Sequence, residues 1–322
     1  MKKGTPVLEK IVVGYAGDRA GRDAVALAGL LASTFDARLT VVFPYHPLLT
    51  RSPGDAEQER VRAEVGALLS EAEQADRALG TASTRATHDT TECRWSSSSW
   101  PIHALHELAD YEDAQLIVFG AARERLGDRL HVSLMERMVH GAPCAVAVAP
   151  AGYSERPARS LSRVGVGFSG SSEGRSAILL ARELAGRSDG SLTVIAGAGL
   201  EPALASYAFA SPALGDVERE IYEETEQTLS RTCAELSADD GVPIEHETIR
   251  GDPASVLVER SSELDLLVLG SRAYGPLRHV LLGSVSARVM REARCPVLVV
   301  PRGVAGGDGH TDEQPAGAAQ RA

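Results

Sequence analysis

The chain states nearly the same pattern twice. Leu116-Ile117-Val118-Phe119-Gly120, a loop and Ala142-Pro143-Cys144-Ala145-Val146-Ala147-Val148-Ala149-Pro150 close the first half. Leu266-Leu267-Val268-Leu269-Gly270, a matched loop and Ala293-Arg294-Cys295-Pro296-Val297-Leu298-Val299-Val300-Pro301 close the second. Gly14 pairs with Gly167, Thr40 with Thr193, Gly120 with Gly270 and Cys144 with Cys295, at offsets of 150–153 residues. A near-constant offset of that length means two copies of one domain, not a short-period solenoid. In a chain of 322 residues each copy is long enough to bury its own core. The partition reads as 1–150 and 161–302, with a short polar linker over Ala151–Ser162 and a disordered tail over 303–322.

Each copy alternates strands and helices. Ile11-Val12-Val13 is a β-branched run suited to a strand buried on both faces. The helix after it carries Ala24, Leu27, Ala28 and Leu31, the i, i+3, i+4, i+7 stripe of a helix packing on a sheet. Ala177, Leu180, Ala181 and Leu184 repeat the stripe. Second strands follow at Leu39–Val42 and Leu192–Ile195, then charged helices near 55–79 and 215–238, then third strands near 84–88 and 244–248. Asp252-Pro253 opens a helix as N-cap and first helical residue, a job Pro101 does in the first copy, while Ser171 or Ser172 caps the helix after the second copy's first strand. The pattern is a doubly wound parallel sheet, five strands per copy, whose ligands bind beyond the carboxyl ends of the strands at the switch point.

Composition removes several function classes. A net charge of −11 argues against a nucleic-acid binder, which needs a basic face. No apolar leader and no membrane span stand out, so the expected location is cytoplasmic. Cys93, Cys144, Cys233 and Cys295 form no metal spacing, and Cys144 and Cys295 read as small hydrophobes at strand entrances. His103 and His106, with Glu107, lack a third ligand.

The loop after the second copy's fourth strand carries the chemistry. Gly270, Gly275 and Gly283 let backbone approach a ligand, and Gly283-Ser284 opens a helix whose free N–H groups, with the hydroxyls of Ser284 or Ser286, form a phosphate seat. Arg272 and Arg278 add charge-assisted contacts. Here the chain resembles the universal stress protein family in its tandem form. The family's phosphate motif is Gly, two residues, Gly, nine residues, then Gly with Ser or Thr; Gly270, Gly283 and Ser284 match it and Ala273 holds the second glycine position.

The resemblance implies two Rossmann-like (adenine nucleotide hydrolase-like) domains packed as an internal pseudo-dimer, and ATP, carried with Mg²⁺, as cofactor. It implies a role in stress response or dormancy, with an unidentified protein partner. The cofactor-binding set it implies is Gly167, Ser169, Val194, Gly270, Arg272, Ala273, Gly275, Gly283, Ser284, Val285 and Ser286. The first copy departs further, with Ser133-Leu134 at the closing motif positions. The aspartate that ATP-binding members carry after strand one is Ala16 in one copy and Ser169 in the other. Any ATP site therefore belongs to the second copy.

Three other expectations complete the reading. The long connection Ala196–Gly215, with Tyr207 and Phe209, is a candidate lid over the pocket or a packed surface loop. The apolar last strands meet across the internal two-fold, since bare they would aggregate; docking of a second chain is left open. No nucleophile–base pair can be assembled, so the chain reads as a non-enzyme, either a nucleotide-sensing stress protein or a nucleotide-free scaffold.

Overall fold

The computed structural model describes residues 8–45, 54–78, 91–97, 101–121, 136–199, 212–237, 242–271 and 282–301. The first copy runs β1 (Lys10–Gly14), α1 (Arg19–Phe35), β2 (Arg38–Tyr45), α2 (Asp55–Ala78), β3 (Thr91–Ser97), α3 (Pro101–Tyr111), β4 (Leu116–Gly120) and β5 (Ala145–Ala149). The second runs β6 (Arg163–Gly167), α4 (Ser172–Arg187), β7 (Ser191–Ala198), α5 (Pro212–Ser237), β8 (Ile244–Arg250), α6 (Pro253–Arg260), β9 (Leu266–Gly270), α7 (Ser284–Glu292) and β10 (Val297–Val300).

All ten strands form one sheet in the order β3-β2-β1-β4-β5-β10-β9-β6-β7-β8. Pairing is parallel within each copy, and the copies join where β5 and β10 run antiparallel, with Val148 opposite Val297, Ala147 opposite Leu298 and Val146 opposite Val299. The expected meeting of the last strands is therefore a continuous sheet. Alternation along the strands sends side chains into two apolar layers. Ile11, Val13, Val166 and Leu298 pack beneath α1, α2, α4 and α5; Val12, Ile117, Val146 and Val299 pack beneath α3, α6 and α7. Both layers draw residues from both copies. Ala145, Ala147 and Ala149 face the first layer, where α1 crosses β5, and Arg187 of α4 lies 4.9 Å over the Phe35 ring of α1.

Helix starts follow local chemistry. Asp18 Oδ1 accepts from Gly21 N at 2.8 Å to cap α1, Ser171 Oγ accepts from Gly174 N at 3.2 Å to cap α4, and Asp252 Oδ2 accepts from Ser255 N at 3.0 Å ahead of Pro253. The stripe residues Ala24, Leu27, Ala28, Leu31, Ala177, Leu180, Ala181 and Leu184 are all fully buried. Two expectations are corrected. The third strand of the first copy is Thr91–Ser97, not 84–88, which lies outside the described residues. As an edge strand it alternates half-buried and exposed positions and lacks the apolar run that marks central strands. The second correction is to the long connection after β7: that strand continues to Ala198 and α5 begins at Pro212, so the connection is shorter than 196–215, and Tyr207 and Phe209 lie outside the described residues.

The linker is docked rather than merely polar. Asp23 on α1 is buried, and its carboxylate accepts Gly152 N at 2.7 Å, Ser154 N at 2.8 Å and Ser154 Oγ at 2.6 Å. These bonds hold the 3-10 turn Tyr153–Glu155, with Tyr153 and Leu161 buried. Removing the carboxylate leaves the half-buried N–H donors of Gly152 and Ser154 without this acceptor. Asp23→Ala is expected to lower stability by about 2–3 kcal/mol, read as a lower urea midpoint at unchanged slope.

Candidate functional site

The chain order reverses between β6 and β9, and there the second copy opens a cleft of about 780 Å³. Its floor is the strand ends Gly167, Gly197, Leu269 and Gly270, and its walls come from the loop Phe168–Ser171, α5, α6 and α7. Glycine at 197 is a packing requirement, since a Cβ there would lie 2.4 Å from Pro253 Cα. Gly170, at φ 73°, turns the loop after β6 in a conformation that side chains disfavour.

One wall is the start of α7. Its N-cap Gly283 has extended backbone (φ −85°, ψ 165°) and supplies no side-chain acceptor, unlike the caps of α1, α4 and α6. The first helical bond is Ala287 N to Gly283 O at 2.9 Å, so the preceding N–H groups have no partner within the helix. Gly283, Val285 and Ser286 line the cleft, presenting donors and the positive end of the helix dipole to it. Arg288 secures this end: its guanidinium donates to Asp252 Oδ2 at 2.7 Å, tying α7 to the cap of α6.

Of the residues that the sequence nominated, Gly167, Ser169, Gly270, Gly283, Val285 and Ser286 line this cleft. Ser169 Oγ lies 3.1 Å from Ser171 Oγ, which caps α4. Ser284 is exposed at the first position of α7 and is absent from the lining. Val194 is a correction: it is fully buried in the layer beneath α4 and α5, because β7 alternates and presents Gly197, not Val194, at the strand end. Arg272, Ala273, Gly275 and Arg278 lie outside the described residues, as do Ser133 and Leu134.

Sequence reading missed Phe168, Gly197, Glu224, Thr225, Thr228, Pro253 and Leu257, all in the lining. A signal existed for α5. Leu229 and Cys233 form its buried stripe, and one turn back along the same faces stand Thr225 and, from Thr232, Thr228. An apolar stripe that turns polar toward the strand ends marks a helix leaving the core for a cleft.

The first copy carries an aromatic cluster at the ends of its first three strands. Tyr15 N bonds Val42 O at 2.9 Å as Phe168 N bonds Ile195 O at 2.9 Å, which makes the two positions equivalent. Tyr15 packs edge-on against Phe43 at 5.4 Å, and Phe43 stacks on Trp95 at 4.4 Å. Burial pushes the Tyr15 phenol above its usual range, with Glu64 adding to the shift. The register places Ala196 and Thr248 where Phe43 and Trp95 stand. At the switch point itself, a Cβ on Gly120 would lie 1.9 Å from Ala20 O, so the first turn of α1 sits on that strand end.

The remaining candidates have structural surroundings. His106 Nε2 lies 2.8 Å from Met138 O, and no metal-binding cluster of His, Cys, Asp and Glu occurs among the described residues. Burial pushes the Cys144 and Cys295 thiols up to about 12 and Cys233 to about 11. Native protein near pH 8 should leave these three unreactive toward iodoacetamide, whereas in denaturant all four cysteines should alkylate. Because the folded thiols bind their protons more tightly than the ordinary value near 9, their contribution to stability is complete below about pH 9 and is lost as pH rises toward about 12. Cys144→Ala with Cys295→Ala should flatten that alkaline decline in urea titrations.

Fold and site together define a doubly wound α/β protein of two fused copies, with a cleft at the switch point of the second. The universal stress protein family model matches residues 8–150 and again 161–301, and the chain belongs to that family. A universal stress protein of Mycobacterium tuberculosis is 28% identical over 207 residues, 62% of this chain and 66% of that protein. One from Methanocaldococcus jannaschii is 37% identical over 95 residues, 28% of this chain and 56% of that protein. The aligned stretches thus span less than two thirds of either relative's length. A universal stress protein structure from Archaeoglobus fulgidus shares the fold over 93% of this chain and 97% of its own, with a TM-score of 0.56 and 16% identity. No described helix is long and apolar enough to cross a membrane.

Proposed function

We propose that this chain is a nucleotide-sensing universal stress protein that binds an adenine nucleotide, ATP with Mg²⁺, in the cleft of its second copy. The observation that carries this reading is the uncapped start of α7 opening into a cleft of about 780 Å³ above Gly167 and Gly270. A cleft of that size is in the range for small-ligand sites, roughly 300–1,000 Å³. The unpaired N–H groups take the phosphates, and the glycines let them approach the backbone. The first copy, with Ser133 and Leu134 at the closing motif positions, serves as structural partner.

The reading is one of binding rather than catalysis. The described lining offers hydroxyls and the Glu224 carboxylate but no histidine or cysteine to form a nucleophile–base pair. A second reading rests on Ala16 and Ser169, neither of which carries the carboxylate expected after the first strand. It makes the chain a nucleotide-free scaffold for a protein partner.

Gly283→Asp separates the two. Aspartate at the N-cap satisfies the helix's own donors and places a negative charge where phosphate would sit, so α7 keeps its stability while the anion seat is lost. Calorimetry should show saturable Mg·ATP binding near one per chain, abolished in Gly283→Asp at an unchanged melting temperature. No heat at millimolar ATP in the parent chain selects the scaffold.

A further inference from the structure

We propose that Glu224 on α5 reads the base of the bound nucleotide, accepting a hydrogen bond from an exocyclic amine and so selecting amino-bearing over keto-bearing bases. This inference rests on the nucleotide reading of the cleft and adds the residue that determines its specificity. The cleft is walled from opposite faces of the sheet. Helix α7 packs into one layer through Val289 and Met290, and α5 into the other through Leu229 and Cys233. A ligand that reaches both walls crosses the strand ends at Gly167, Gly197 and Gly270. The α7 wall offers N–H donors and therefore takes the anionic end. The α5 wall offers Glu224, Thr225 and Thr228, of which only Glu224 is charged.

Three observations single out Glu224. It is exposed in the cleft lining, and no hydrogen bond or ion pair joins it to another described residue, although α5 pairs Asp216 with Arg219 and sends Glu235 to Arg175. Thr228, one turn further along the same helix face, reaches the loop after β6: its Cγ2 would lie 3.8 Å from a Cβ on Gly170. Glu224 therefore stands on the wall that overlooks Ser169, the position at which this chain has a hydroxyl and no carboxylate. An ionised carboxylate accepts hydrogen bonds only. It rewards an amine on the base and opposes a carbonyl there, whereas the hydroxyls of Ser169, Thr225 and Thr228 tolerate either.

The test compares ATP, inosine triphosphate and inorganic triphosphate, each with Mg²⁺, on the full chain and on Glu224→Ala. One charge-assisted hydrogen bond on a partly exposed wall corresponds to a preference of roughly tenfold for ATP over inosine triphosphate. Glu224→Ala should bring that ratio close to one, with triphosphate affinity unchanged or raised. The ratio is the discriminating readout, because loss of a negative charge by itself moves both nucleotides together. A preference that survives in Glu224→Ala overturns the inference, as does a parent chain that binds both nucleotides equally, and in both cases the phosphate seat stands. A parent chain that binds none of the three overturns the nucleotide reading along with it.

Discussion

The pairing of β5 with β10 is the contact on which the two copies depend. Neither strand carries a charge, and both are buried on both faces: alanines of β5 lie under α1, while valines of both strands fill the opposite layer. A sheet that stopped at either strand would present unpaired backbone groups beside apolar side chains, the arrangement that favours edge-to-edge aggregation. Joining them leaves β3 and β8 as the outer edges, and these carry exposed Glu92, Arg94, Glu245, His246 and Arg250. The strong apolar character of the last strands is thus accounted for by a junction inside the chain.

Given that shared frame, the copies have diverged at the strand ends. Aromatic rings occupy the first copy between β2, β3 and α2, where the second has alanine and threonine beneath α5. Bulk there adds buried area to the first half. The tie from Arg288 to Asp252 shows how much of the second copy's cleft depends on helix placement, since it couples the anion-facing end of α7 to a neighbouring cap.

The fold was legible because its signals are local and repeated. The helical stripe at Ala24–Leu31 returns at Ala177–Leu184, and the caps at Ser171 and Asp252 follow from side-chain chemistry within one turn. The third strand was misplaced because edge strands are held by backbone pairing to one neighbour and carry little apolar pattern. The site was half legible. Its glycines and the start of α7 announce themselves in sequence, but Glu224, Thr225 and Thr228 enter from a helix whose approach is set by tertiary packing. Val194 was misjudged for a related reason: alternation along β7 decides which side of the sheet a residue serves, and no motif records it.

The junction also has a consequence for synthesis. Strand β5 ends at Ala149, and its partner begins at Val297, so the ribosome must add about 150 residues before the inner edge can be covered. At elongation rates of about 5–20 residues per second, that interval lasts roughly 7–30 seconds. Throughout it the first copy carries an apolar strand, paired to β4 on one side, whose other edge has no mate in its own chain. On a crowded polysome the nearest matching surface is the β5 of a neighbouring nascent chain, so the order in which the two copies emerge makes the protein's own siblings its first competitor for correct assembly.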